Sequence, residues 1–181
     1  AGILVDFGIY IVNRNSEDAD MLVNIFPTIV NLAEAFIGLS CSIGFGLVDT
    51  GAQLGMCGLT AWRNWVCALF ACGLQPVYKP VPPGVSAGGV GGASKILGMA
   101  DVPTGICGES IITTWLITDE NIDRNGVVCT IPVLVPNTLI IAMDGSVRPA
   151  KQRVNFHSLG KSQACKMLDN EAHMEMPLMC F

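Results

Sequence analysis

The sequence predicts a mainly β fold with one prominent helix, and three observations carry that expectation. Runs rich in β-branched and aromatic residues recur along the 181-residue chain, separated by glycine, proline or polar breaks. One stretch, LTAWRNWVCALFACG over 59–73, spaces its apolar residues as a helix does. The length suits one domain with a core of ordinary size, and no internal repeat or low-complexity tract suggests anything larger.

Taken in order, GILVDFGIYIV (2–12) predicts a strand or strand pair, and NRNSEDAD (13–20) a polar turn. TIVNLAEAFIGLSCSIGFGLV (28–48) carries Glu34 as its formal charge and is long enough for a membrane span. Asn31, its glycines and serines, and the lack of flanking Lys or Arg argue instead for a short helix at NLAEAF and a strand at SIGFGLV. In 59–73, Trp62, Trp65, Val66, Leu69 and Phe70 make the apolar face and Gly73 the C-cap. YKPVPPG (78–84) is a stiff connector, and SAGGVGGASKILGMADVPTGICGE (86–109) reads as glycine-rich hairpins. IITTWLIT (111–118) and VVCTIPVLV (127–135) are strand-like, joined by a charged turn whose Asp119, Glu120, Asp123 and Arg124 are expected in solvent. NTLIIAMDGSV (137–147) starts with a helical turn, and QRVNFHSLG and HMEMPLMC supply the last strands. Met174, Met176 and Met179 read as an edge strand or interface patch.

Charged residues make up 14% of the chain and hydrophobic residues 51%, with a mean hydropathy of +0.52. About 25% charged is usual for a globular domain, so part of the apolar surface is expected to meet another subunit, a membrane or a larger assembly. The 21–48 region is the candidate for membrane or subunit contact. A net charge of −5 without a basic run argues against nucleic acid. The eight cysteines show no C-x-x-C, and His157 and His173 lie far from most of them, which argues against a metal site. Most of these thiols are expected as small core residues in a reducing intracellular compartment. No phosphate-binding G-x-x-x-x-G-K-[ST] and no G-x-S-x-G elbow is present.

LVDTGAQLG (47–55) sets a carboxylate directly after two aliphatic residues, where Asp-x-Gly by itself can serve as a turn. Downstream come GGVGGASKILGMADVPTGICG and then IPVLVPNTLIIAMDGSV. In this order the parts resemble the retropepsin-like aspartic proteases of retroviruses and retrotransposons, similar domains of which occur in dinoflagellate polyproteins. The active turn resembles Leu47-Val48-Asp49-Thr50-Gly51-Ala52, the flap Gly88-Gly89-Val90-Gly91-Gly92, and the closing strand and helix Val133 to Val135 and Asn137 to Met143.

That resemblance implies a closed β-barrel or sandwich over residues 43–160, an apolar N-terminal extension over 1–42 and a C-terminal strand or tail over 161–181. It implies an endopeptidase acting on extended peptides, with no cofactor. Two carboxylates about 3 Å apart cannot both ionise, so the pair shares one proton. The chain supplies one such aspartate, and a twofold homodimer supplies its mate. Asp49 is then the general acid and base, Thr50 the brace across the dimer, and Gly51 with Ala52 the backbone facing substrate. Gly88, Gly89, Val90, Gly91 and Gly92 form a flap that closes over the peptide. Three features depart from the family: Pro136 follows the closing strand, the stretch between turn and flap is long, and the segment before Asp49 is longer and more apolar. These leave a second reading open, a non-catalytic subunit of this fold in a larger, membrane-bound assembly, such as a plastid or photosynthetic complex.

Overall fold

The computed structural model describes residues 3–5, 9–11, 29–32, 41–89, 92–122, 126, 128–168 and 173–181. The first apolar run forms β1 (Ile3–Val5) and β2 (Ile9–Ile11), paired antiparallel with Ile3 opposite Ile11. β3 (Ile29–Leu32) takes up Asn31 and Leu32, where a short helix was expected to begin, and β4 (Phe45–Asp49) ends at the aspartate. Residues 13–20 and 33–40 lie outside the described residues. No helix among the described residues is long and apolar enough to cross a membrane.

β5 (Gly55–Gly58) follows the Asp49 turn and enters α1 (Leu59–Ala71). Trp62, Trp65 and Leu69 of α1 are buried, as their spacing predicts. Phe70, also expected on that face, is 58% exposed, because one further residue rotates about 100° around the helix. Gly73 closes the helix in the left-handed region, φ +72°, which a side chain rarely adopts. The Gly73 N–H donates to Phe70 O at 3.0 Å and the Leu74 N–H to Leu69 O at 2.9 Å, the paired bonds of a Schellman ending.

Beyond α1 come β6 (Val77–Lys79), then β7 (Ser86–Gly89) and β8 (Gly92–Ser94). β9 (Ile96–Ile106) and β10 (Glu109–Thr118) form a long antiparallel hairpin with Ile106 opposite Glu109. The run expected as a single strand over 127–135 is split into β12 (Val128–Cys129), which pairs with β11 (Asn121–Ile122), and β13 (Leu134–Pro136). α2 (Asn137–Ala142) follows directly. A three-stranded antiparallel sheet of β14 (Gly145–Arg148), β15 (Arg153–Phe156) and β16 (Lys161–Ala164) leads to the final pair, β17 (Lys166–Met167) and β18 (Met174–Pro177).

The main sheet has ten strands in the order β1-β2-β10-β5-β13-β4-β18-β17, with β9 paired to β10 and β6 to β9. The fold is therefore mainly β, and the expected closed barrel is not found among the described residues. Closure requires the two ends of the path to pair, whereas β1 and β17 end it at separate edges. β18 lies between β4 and β17, with Met174 and Met176 buried within the chain, which corrects the expected edge strand or interface patch for those two residues.

Both faces of the sheet are covered. Trp115 and Ile117 of β10 point into one cluster with Trp62, Trp65 and Leu69, while Leu116 points into a second with Leu47, Met56, Ala87 and Leu134. Period-two alternation between two apolar layers is why IITTWLIT reads as almost continuously hydrophobic. Trp65 and Trp115 meet edge to face, ring centroids 5.1 Å apart. The polar atoms in this layer are chained. Trp115 Nε1 donates to Thr113 Oγ1 at 2.5 Å, Thr113 and Thr104 hydroxyls lie 2.6 Å apart, and Thr104 Oγ1 donates to Val102 O at 3.1 Å.

Candidate active site

β4 delivers Asp49 at its end, with the residue 6% exposed. The chain then turns: Ala52 N–H donates to Asp49 O at 3.3 Å, and Gly51 N–H donates to Asp49 Oδ1 at 2.8 Å. An aspartate accepting from the backbone two residues on is the common way Asp-x-Gly holds a turn. One carboxylate oxygen is thus used structurally. The other, Oδ2, is buried and has no hydrogen-bond partner among the described residues. Burial pushes the Asp49 carboxyl above its usual range, against the opposing pull of the Gly51 and Ala52 N–H groups and of His173.

The turn is braced from behind by β13 and α2. Leu134, Val135 and Pro136 run parallel to Leu47, Val48 and Asp49. Asn137 N–H donates to Ala52 O at 3.0 Å, and Thr138 Oγ1 to Gln53 O at 2.7 Å. Pro136 holds φ −76° and ψ 154° as the residue before α2, a conformation its ring favours. Thr50 and Gly51 are exposed, whereas Ala52 is buried and both its backbone polar groups are engaged within the fold.

Of the flap residues, Gly88 and Gly89 lie in β7 and Gly92 in β8, with Gly89 opposite Gly92. Val90 and Gly91, between them, lie outside the described residues. β3 pairs in parallel with β7 on its other side, so part of the apolar N-terminal stretch is built onto this hairpin. Ala87, at the hairpin's base, shares the second core cluster with Leu47 and Leu54, which flank the Asp49 turn.

Three acidic or basic side chains do more than the sequence signalled. His173 affects the Asp49 charge although it lies 124 positions along the chain, and only the pairing of β18 on β4 brings the two strands together. Glu175, 1% exposed, accepts from Ser42 N and Ser42 Oγ, both at 2.8 Å, with Lys166 Nζ at 3.6 Å. Glu120, expected in a solvated turn, instead points inward. It accepts from Thr60 N–H at 2.6 Å in the first turn of α1 and from Ile131 N–H at 3.0 Å. Gly58 supplies no cap of its own, and a Cβ there would sit 2.5 Å from Glu120 Oε2, so glycine is what lets the carboxylate in. Asp119 bonds Glu120 N–H through Oδ1, while Asp123 and Arg124 lie outside the described residues. The thiols also divide: Cys57 is buried in the core, but Cys67 and Cys72 are exposed on and just after α1.

Among the described residues no group of three or more His, Cys, Asp or Glu side chains is gathered as metal ligands. No family model, curated protein or solved structure matches the chain.

Proposed function

We propose that this chain is an aspartic endopeptidase of the retropepsin type, assembled as a homodimer. One observation carries the reading: in the Asp49-Thr50-Gly51 turn, Oδ1 holds the backbone while buried Oδ2 has no hydrogen-bond partner among the described residues. A buried carboxylate oxygen without a partner is costly. The Asp49 of a twofold-related copy would complete it with a shared proton. Because Oδ2 is covered in a single chain, pairing requires that cover to shift as two copies meet.

In this mechanism the ionised member of the pair takes a proton from water, and the resulting hydroxide adds to the scissile carbonyl carbon. The protonated member donates to the carbonyl oxygen. Proton return to the amine nitrogen then breaks the C–N bond, giving a carboxylic acid and an amine with no covalent enzyme intermediate. The raised Asp49 carboxyl suits the proton-holding role. β8 leaves one edge unpaired among the described strands, the kind of edge with which an extended peptide makes backbone hydrogen bonds.

The test is peptide cleavage by the native chain and by Asp49→Asn, with and without a statine-type inhibitor, alongside sedimentation. Dimer formation, inhibition and loss of cleavage in the variant support the proposal. Cleavage that persists in Asp49→Asn ends it.

A second reading is a non-catalytic subunit in a larger assembly. It is favoured by a groove of about 410 Å³ between α1, β6 and β9, bordered by Trp62, Val66, Tyr78 and Leu97, with Tyr78 63% exposed. That reading expects no cleavage, and co-purification with partners that Asp49→Asn leaves unchanged.

A further inference from the structure

The hairpin of β9 and β10 turns through two residues, Cys107 and Gly108, with Ile106 opposite Glu109. Both have positive φ, +56° at Cys107 and +80° at Gly108, the pattern of a type I′ turn. The first central position of that turn ordinarily takes asparagine, aspartate or glycine, because other side chains are strained in the left-handed region. A cysteine there does not help the turn, so what lies beside it is informative.

The chain beyond β18 lies beside it. Gly105 N–H donates to Leu178 O, Cys180 N–H to Gly105 O and Gly108 N–H to Cys180 O, all at 2.9 Å. Cys180 is thus bonded through its backbone to glycines on both sides of Cys107. A Cβ on Gly105 would stand 2.5 Å from the Cys180 carbonyl carbon, so glycine is what admits this close approach. The α-carbons of Cys107 and Cys180 are joined through one peptide unit, the Gly108 hydrogen bond and one carbonyl. The Gly108 N–H points nearly at right angles to the direction of the Cys107 α-carbon, so a near-linear bond holds the two α-carbons within about 6 Å. A disulfide needs about 4.4–6.8 Å. Both residues are free thiols and half-buried.

We propose that Cys107 and Cys180 form a disulfide when the folded chain meets a small-molecule disulfide, pinning the C-terminal stretch across the β9–β10 turn. One cysteine thiolate attacks the small disulfide and displaces its first thiolate. The other cysteine thiolate then attacks the protein sulfur of that mixed disulfide and displaces the second. The two cysteine sulfurs give up two electrons and two protons, which leave with two small-molecule thiols. Burial pushes the Cys107 thiol up, against the pull of Lys161 and with a further push from Cys180 and Glu109, so closure is slow at neutral pH and quickens as pH rises. Cys165 is the third thiol nearby. It meets Cys107 through the Gln163 residue: Cys165 Sγ donates to Gln163 O at 3.7 Å, and Cys107 N–H to Gln163 Oε1 at 2.9 Å. The pin would reach the strand that carries Asp49, because Leu178 N–H donates to Gly44 O at 2.8 Å and β18 pairs with β4. The bond itself is independent of the protease reading.

The experiment incubates the folded full chain with oxidised glutathione in mildly alkaline buffer, as native protein, Cys107→Ser, Cys180→Ser and Cys165→Ser. Unreduced peptide maps and urea midpoints are the readouts. A peptide joining Cys107 to Cys180 is expected in the native chain and in Cys165→Ser, and is expected to be absent from the other two. The urea midpoint of the native chain should rise on oxidation and return on reduction, because the bond closes a long loop. Mixed disulfides at both residues without the cross-link, or Cys107 joined to Cys165, overturn the proposal. A cross-link that leaves the midpoint unmoved overturns the pinning. The native map alone decides the pairing, so that result stands even if a serine variant fails to fold.

Discussion

Pro136 stands in register with Asp49 across the parallel ladder of β4 and β13. A proline cannot donate to a ladder, yet here the next residue makes the link, with Asn137 N–H bonded to Ala52 O at 3.0 Å. The brace behind the turn therefore comes from the start of α2. Pro136, a departure from the retroviral pattern, fits because it ends one element and pre-sets the next.

Asp49→Asn separates chemistry from stability. A carboxyl raised in the folded state contributes stability while protonated, below its unfolded value near 3.8, and loses it as pH rises through the folded value. Asparagine does not titrate. The variant is therefore expected to gain on the native chain as pH rises, while losing cleavage. Urea midpoints at pH 3, 5 and 7 check this, and an advantage that does not grow with pH refutes it.

Thr113→Val breaks the buried chain of polar atoms at its middle. Trp115 Nε1 loses its acceptor and the Thr104 hydroxyl loses a neighbour, at nearly constant volume. The expected loss is about 1–3 kcal/mol in chemical unfolding, the usual consequence of stranding a buried donor.

Glu120→Ala removes the acceptor from both the first turn of α1 and Ile131. A loss of about 1–3 kcal/mol is expected. Glu120→Gln, which keeps one acceptor oxygen, should fall between. Equal stability of all three proteins would refute the capping role.

Thiol labelling should follow burial. Burial and the Glu175 charge push Cys41 up to about 12, and burial pushes Cys165 up to about 11 and Cys57 higher still. Because thiolate is the reactive form, iodoacetamide at pH 8 is expected to modify exposed Cys67 and Cys72 first and Cys57 last. Mass spectrometry over time reads the order.

What the sequence makes legible is local. The apolar spacing of Trp62, Trp65 and Leu69 marks α1, Gly73 marks its end, and Leu47-Val48-Asp49 marks a strand leading into a turn. What it hides depends on register between distant segments. Glu120 meets Thr60 across 60 positions, and Glu175 comes to face Leu47 only because β18 lies against β4. Phe70 was misplaced for a smaller reason, since its hydrophobicity says nothing of which side of α1 the core occupies. The unclosed sheet was illegible too: alternation in β10 reveals two covered faces but not whether the edges meet.

β13 lies between β4 and β5 although it follows both in the chain, with Leu134 facing Leu47 on one side and Met56 on the other. During translation, then, the aspartate loop emerges with a gap beside it that nothing yet synthesised can fill. Its rear support arrives only when residues 134–138 leave the ribosome and thread into that gap. A nascent chain released before that point lacks a braced Asp49 turn, so the order of synthesis itself delays that turn until residue 138 has been made.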